Sequence, residues 1–186
     1  MTAPIISFRP LTRGDFDLLA RWLAAPHVEA WWREDPEPGA IEERYGPGVD
    51  GLDPTELFVI ELGDRAVGLI QRYRFDDNPE WRAALAPAGT PGAAFGIDYL
   101  IGEERDIGSG LGQRVIGDFI ARSWDRYPDV VAVVAAVVGV DADNRRSWRA
   151  LEKAGFQRAW TGRVESEDPS DQGVSHVYVL PRPGRG

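Results

Sequence analysis

The chain contains no cysteine, one methionine and only two histidines, His27 and His176. The missing cysteines remove disulfides, thiolate metal sites and cysteine nucleophiles together. Two histidines are too few for a histidine-rich metal centre, so no metal is expected. Long apolar stretches are also lacking. The richest, Val130–Val138 with its neighbours, falls far short of the roughly 20 residues that span a bilayer, so no membrane partner is expected. The opening MTAPIISFRP does not have the basic-then-apolar layout of a secretory leader, and the cytoplasm is the expected compartment. Positive charge is the last scarcity: 21 bases stand against 30 acids, for a net charge of −9. A phosphate backbone wants a basic face, so nucleic acid is not an expected partner.

What is present is ordinary for a globular chain of 186 residues, with 43% hydrophobic and 27% charged residues. That length supports one substantial core. No repeat or linker divides it, and residues 1–186 read as a single domain. Acids recur in predicted loops: Glu42 and Glu43; Asp50, Asp53 and Glu56; Asp76, Asp77 and Glu80; Glu103, Glu104 and Asp106; and the stretch 165–171. Each cluster is either a solvated surface or the wall of a cleft that attracts a cation, and charge alone does not choose.

Ile5–Arg9 alternates weakly and reads as a first strand closed by Pro10. Thr12 with Asp15 has the form of a capping box. Phe16, Leu18, Leu19, Trp22 and Leu23 give the next helix its apolar face, until Pro26 stops it. The adjacent tryptophans of His27–Trp32 cannot both face one core, so Trp31 or Trp32 is expected on a surface or a cleft wall. Ile41–Tyr45 reads as a short helix before the break at Gly46-Pro47-Gly48. Leu57–Leu62, Gly63-Asp64 and Ala66–Arg74 form a hairpin signal. Asp77–Gly92 is long and polar, holds Trp81, and is expected as a lid or a disordered loop. Val130–Val138 is the β-branched run of a strand buried on both faces. A helix over Ser147–Ala154 stops at Gly155. Phe156–Val164 and Val174–Leu180 then close the chain as a hairpin across an acidic loop.

The stretch that organises these pieces is Ala93–Ser123. It reads as a buried strand, a turn with glycines at 108, 110 and 112, and a helix whose apolar face is Leu111, Val115, Ile116, Phe119 and Ile120. A helix N-terminus with pliant glycines before it suits a phosphate or pyrophosphate. Asp98 is a lone acid within the apolar strand. It is either a reactive carboxylate or a buried partner for an arginine such as Arg72 or Arg74. A phosphate cradle beside a carboxylate suggests a cofactor delivering a group to a nucleophile. A dinucleotide fingerprint would need glycine where Gln113 stands, and a P-loop would need Gly-Lys-Ser/Thr, which is absent.

Arg105-Asp106-Ile107-Gly108-Ser109-Gly110 fits R/Q-x-x-G-x-G/A, and Leu111-Gly112 extends it. With a strand before, a helix after, then a buried strand and a second helix from Asn144, the order resembles the GNAT acyltransferase superfamily over almost the whole chain. The resemblance implies an α/β (α+β) fold. Its central sheet would be mixed and mostly antiparallel, with helices on both faces and a splayed strand pair at Ala93–Gly102 and Val130–Val138. It implies acetyl-CoA as cosubstrate, with pyrophosphate held by the turn and helix start: Asp106, Ile107, Gly108, Ser109, Gly110, Leu111, Gly112 and Gln113. Pantetheine would lie along Leu100, Ile101 and Gly102 in the manner of an added strand, and Asn144 would meet the same arm.

A nearer resemblance is to aminoglycoside 6'-N-acetyltransferases. It rests on His27–Trp32, Glu43-Arg44-Tyr45-Gly46-Pro47, Gln71-Arg72-Tyr73, Gly96-Ile97-Asp98 and Glu152-Lys153-Ala154-Gly155-Phe156. It implies that Asp98 is the catalytic carboxylate and touches substrate, with Trp31, Trp32, Tyr45, Gln71, Tyr73 and Trp81 on the acceptor wall. Two positions depart. The tyrosine that protonates the leaving thiolate in many relatives is Leu151 here. A substrate-binding aspartate expected near position 139 is Gly139, and Asp141 or Asp143 is its nearest replacement.

Acetyl transfer needs a neutral amine, yet an alkyl ammonium has a pKa near ~10. A carboxylate such as Asp98 can take that proton as nitrogen attacks. Burial would raise its pKa and a cationic substrate would oppose the rise. A backbone N–H near Tyr99 or Leu100 is the expected stabiliser of the carbonyl oxygen. For the thiolate, solvent, the substrate ammonium and Tyr99 all stay open. The leading expectation is transfer of acetyl from acetyl-CoA to a primary amine of an aminoglycoside-like, cationic small molecule. The alternatives are an acyltransferase for siderophore hydroxy-lysine or protein N-termini, and a non-catalytic module that binds coenzyme A or sequesters a drug.

Overall fold

Two residues, Gly63 and Asp64, turn the chain between its second and third strands. Gly63 takes φ 62°, as the first central position of a type II′ hairpin turn requires. The computed structural model describes residues 4–138, 144–166 and 171–184. Its strands are β1 (Ile6–Pro10), β2 (Glu56–Leu62), β3 (Arg65–Arg74), β4 (Ala94–Ile101), β5 (Ala132–Val137), β6 (Gln157–Gly162) and β7 (Ser175–Pro181). They join in one sheet in the order β1-β2-β3-β4-β5-β7-β6. Neighbours are antiparallel throughout except β4 and β5, which run parallel. The mixed, mostly antiparallel sheet is the one the sequence leads one to expect.

The helices are α1 (Phe16–Leu23), α2 (Pro26–Trp32), α3 (Pro38–Val49), α4 (Pro79–Ala84), α5 (Leu111–Arg126) and α6 (Arg145–Lys153). Strand side chains alternate between faces, and the helices divide accordingly. On one face Val59, Leu69 and Leu100 meet Leu19, Trp22, Leu23, Val28, Ile41 and Tyr45 from α1, α2 and α3. On the other, Ile60, Ile70, Phe95, Ile97, Val133 and Ala135 meet Leu111, Val115, Ile116, Phe119 and Leu151 from α5 and α6. Both faces are covered. Among the described residues no helix is long and apolar enough to cross a membrane.

Prolines punctuate the chain differently from their simplest reading. Pro10 is the last residue of β1, an edge strand, where a missing N–H costs little. Pro26 follows α1 but also opens α2 at its first helical position, where its lack of N–H is harmless. Pro47 does not break the helix begun near Ile41. Asp50 N–H still reaches the Gly46 carbonyl at 3.0 Å, so α3 loses one bond and runs on to Val49. The segment Asp77–Gly92 is ordered: α4 and a 3-10 turn over Ala86–Ala88 occupy it. Thr12 and Asp15 cap the first helical turn as expected. Asp15 accepts from the Thr12 N–H at 3.0 Å and from its hydroxyl at 2.8 Å.

The feature that positions the site is the parting of β4 from β5. They pair only at Ala94↔Ala132, Phe95↔Val133 and Gly96↔Val134. Beyond Gly96, β4 continues against β3 and β5 against β7, leaving a wedge between Ile97–Ile101 and Ala135–Val137. This is the splay expected at these strands.

Candidate active site

Two cavities open into that wedge from opposite ends, of about 470 Å³ and about 430 Å³. Trp31, Trp32, Tyr99, Asn144 and Ser147 line both, so the cavities meet there. Their chemistry differs sharply.

The first cavity holds Asp98, half-buried on β4. Gln71 lies directly opposite on β3, and its Nε2 donates to Asp98 Oδ2 at 3.0 Å. Arg72 and Arg74, the alternative partners for this acid, are engaged elsewhere. Arg72 pairs with Glu56 and with the Ser123 hydroxyl, and Arg74 with Asp129. Strand alternation explains this, since Gln71 and Asp98 share a face that Arg72 does not. Tyr45 of α3 is 2% exposed, yet its hydroxyl reaches the cavity and donates to Glu34 Oε2 at 2.5 Å. Tyr73 and Trp81 form a further wall, their rings 5.7 Å apart. Gly96 is required behind that wall, because a Cβ there would come within 2.3 Å of the Tyr73 ring.

The expected acceptor-side residues Trp31, Trp32, Tyr45, Gln71, Tyr73, Trp81 and Asp98 therefore come together in one cavity. Both tryptophans reach it. Asp141, like Asp143 and Gly139, lies outside the described residues. Among the described residues, the charged side chains that line the cavity are Glu34, Asp53, Asp77, Glu80, Asp98 and Asp171, with Arg44 as the base among them. An adjoining recess of about 1110 Å³ shares Glu34, Arg44, Tyr45, Glu80 and Trp81 and adds Asp35 and Glu165. Such a wall favours a cation.

Sequence reasoning passed over Glu34 and left Asp171, within the acidic stretch 165–171, undecided between surface and cleft wall. Arg33 takes a left-handed φ of 53° at the end of α2, and that turn carries Glu34 back over Tyr45. Nothing in the residue order announces a left-handed arginine. Asp171 precedes β7 and is brought to β5 only by the sheet order.

The second cavity runs from Leu100 and Ile101 to the start of α5. Gly108 and Gly110 adopt φ 79° and 82°, which places a tight turn before Leu111. The first N–H groups of α5 have no partner within the helix, and Ile107, Gly108, Gly110, Leu111, Gly112 and Gln113 all line the cavity. Ser109 does not line it; its hydroxyl donates to the Asp106 carbonyl at 2.6 Å and stiffens the turn. Asp106 lines the cavity while its carboxylate pairs with Arg65 at 3.2 Å. Gly102 lies outside the lining, packed under Trp22. Asn144 is 8% exposed and donates from Nδ2 to the Val138 carbonyl at 3.1 Å, which ties the end of β5 to the start of α6.

Arg146, Arg149 and Lys153 supply the cationic rim of this second cavity. Their common face on α6 becomes a rim only once α6 is set beside α5, so the linear pattern alone reads as a solvated helix. His27 of α2 also lines the cavity, its Nε2 3.0 Å from the Ile101 carbonyl oxygen. Tyr99 sits at the junction. Burial pushes its phenol up to about 12, opposed by a hydrogen bond with Ser147.

Amide donors, two positive-φ glycines, three cations and a strand edge left by β5 fit a pyrophosphate-bearing ligand with an amide-rich arm. Opposite lies an anionic cavity with one carboxylate at the wedge. The arrangement can bring an anionic donor and a cationic acceptor together between two parted strands.

The sequence matches the acetyltransferase (GNAT) domain family over residues 12–164. It is 25% identical over 160 residues to aminoglycoside N(6')-acetyltransferase type 1 of Klebsiella pneumoniae and, with the same figures, to that of Serratia marcescens. Each alignment covers 84% of this chain and 76% of the relative. Among solved structures, aminoglycoside acetyltransferase AAC(6')-Ib in complex with coenzyme A superposes with a TM-score of 0.79 at 24% identity, covering 96% of this chain and 95% of that one. The same enzyme with coenzyme A and kanamycin gives 0.77 at 23% identity, covering 96% and 95%.

Proposed function

The chain belongs to the GNAT acetyltransferase family, and on that footing we propose that it transfers an acetyl group from acetyl-CoA to a primary amine of an aminoglycoside-like polycation. The observation that carries the reading is that two oppositely charged cavities meet at Tyr99 and Ser147, next to Asp98 in the first of them. Relatives named for aminoglycoside acetylation, one solved with kanamycin, support the substrate class.

When bound, acetyl-CoA supplies an acetyl group activated as a thioester. The N–H groups of Ile107–Gln113 and the side chains of Arg146, Arg149 and Lys153 would hold its phosphates. The edge of β4 at Leu100 and Ile101 would pair with its amides. On the acceptor side, Glu34, Asp77, Glu80 and Asp171 would draw and orient ammonium groups, and Tyr73, Trp81 and the Trp31–Trp32 pair would flank the sugar rings. Asp98 Oδ1 or Oδ2 accepts the proton lost as the amine attacks. Gln71 fixes the rotamer of that carboxylate through its 3.0 Å hydrogen bond. Binding both partners in one wedge contributes much of the acceleration by orientation alone.

The test is release of free coenzyme A from acetyl-CoA by the purified protein across an aminoglycoside panel that includes kanamycin. Asp98→Asn should lower kcat by roughly 10²–10⁴-fold, the usual worth of a general base. No release with any aminoglycoside while acetyl-CoA still binds would remove the substrate class. Release with lysine hydroxamates or peptide N-termini would reassign it. Tight binding without turnover on any amine would point to a sequestering module.

A further inference from the structure

With acetyl-CoA seated in the second cavity, which Asp98 does not line, departure of the sulfur would leave negative charge there. The α6 wall is apolar at Leu151, which is 1% exposed and lines the first cavity. Of the five residues common to both cavities, Trp31 and Trp32 come from α2 on the face that carries Asp98. Asn144 already donates its amide to Val138. Tyr99 and Ser147 remain. Tyr99 packs with the α5–α6 core rather than with α1–α3, and a Cβ placed on Gly112 would lie 3.7 Å from its hydroxyl oxygen. Its hydroxyl therefore stands between the start of α5 and Ser147, on the α5–α6 side of β4.

We propose that the Tyr99 hydroxyl donates the hydrogen bond that stabilises the coenzyme A thiolate as it departs. The proposal rests on acetyl-CoA being the donor. In the step, the amine lone pair forms the new C–N bond and its proton passes to Asp98. The C–S bond then breaks, and its electron pair stays on sulfur. Tyr99 keeps its own proton throughout. A phenol held near 12 does not surrender a proton to a thiolate whose conjugate acid lies near ~8.5, but it remains a donor across the working pH range. Sulfur takes its proton from solvent on release, and Asp98 returns one to solvent. Ser147 interacts with the same hydroxyl and brings the N-terminal turn of α6 beside the same charge.

The experiment compares the affinities of coenzyme A and acetyl-CoA by calorimetry from pH 7 to 9.5. The two ligands differ only at sulfur, a free thiol against an acetyl thioester. Contributions from His27 on α2, Asp106 at the turn, Arg146, Arg149 and Lys153 on α6 and Asp98 on β4 to the shared groups cancel in the ratio, and their effect on the thiolate is the same in the wild type and in Tyr99→Phe. In the wild-type protein the ratio should shift in favour of coenzyme A as its thiol ionises, by about 10-fold or more. In Tyr99→Phe, which keeps the ring, the ratio should stay nearly flat while acetyl-CoA affinity is unchanged. The kcat of that variant should fall by about 10- to 100-fold with little change in the acceptor KM. An equal pH slope in both proteins overturns the proposal, as does loss of acetyl-CoA binding in Tyr99→Phe, which marks a packing role. If the wild-type protein binds neither ligand, the donor assignment itself falls.

Discussion

A single methyl group added at Gly96 should distort the acceptor cavity and leave the nucleotide groove intact. The Cβ of Gly96→Ala would stand 2.3 Å from Tyr73 Cε2, 2.4 Å from Cζ and 2.7 Å from the hydroxyl oxygen. Carbon atoms at rest lie ~3.5–4.0 Å apart, so the ring must yield by more than about 1 Å. It has little room. Tyr73 is 5% exposed and sits between Phe75 and Trp81, at centroid distances of 6.4 Å and 5.7 Å. Overpacking of this kind costs about 1–3 kcal/mol. In a chain of this length each kcal/mol lowers Tm by roughly 2–4 °C, which gives a drop of about 2–12 °C by scanning calorimetry. The acceptor KM should rise several-fold in the coenzyme A release assay, because Tyr73 and Trp81 move together, while the coenzyme A Kd stays level. In a Tyr73→Ala background most of the Gly96→Ala penalty should vanish. The reasoning is refuted if Gly96→Ala melts within a degree of the parent with the same KM, or if its penalty is equal in both backgrounds.

Replacing Arg149 and Lys153 together by alanine should weaken coenzyme A binding by about 2- to 30-fold at low salt, since exposed ion pairs contribute about 0.2–1 kcal/mol each. Calorimetry across a salt series checks this, and the gap should narrow as salt is raised. Asp15 concerns stability. The Arg9 guanidinium, with Thr12, holds its carboxyl at about 2, below the ordinary carboxylate value. A lowered folded-state pKa contributes stability that is present at neutral pH and is lost as pH falls through the folded value. Asp15→Ala should therefore melt below the parent at pH 7, with the difference shrinking from about pH 4 and closing near pH 2.

The elements that could be read from the residues are those whose signals are local. Gly63-Asp64 between two alternating runs gave the β2–β3 hairpin, and the glycine spacing at 108–110 before an amphipathic run gave the α5 start. Val130–Val138, β-branched throughout, gave the doubly covered β5. The parts that escaped depend on distant pieces meeting. Glu34 reaches Tyr45 only because Arg33 adopts a left-handed turn. Arg149 and Lys153 form a rim only when α6 lies beside α5. Asp171 joins the acceptor cavity because β7 inserts next to β5 rather than following β6 outward. Pro47 misled because one lost helix bond is tolerable when the next one holds.

On the proposed assignments, parity along β4 decides which substrate meets which residue. Asp98 and Tyr99 are joined by one peptide bond, yet they address opposite sides of the sheet. A slip of β4 by one position against β3 would send the phenol to the amine and the carboxylate to the sulfur, reversing both assignments. A slip of two would restore the sides but part Asp98 from Gln71. The two roles proposed for Asp98 and Tyr99 would thus be encoded as an even and an odd position on one strand, and insertions or deletions in β4 should be tolerated far less than substitutions.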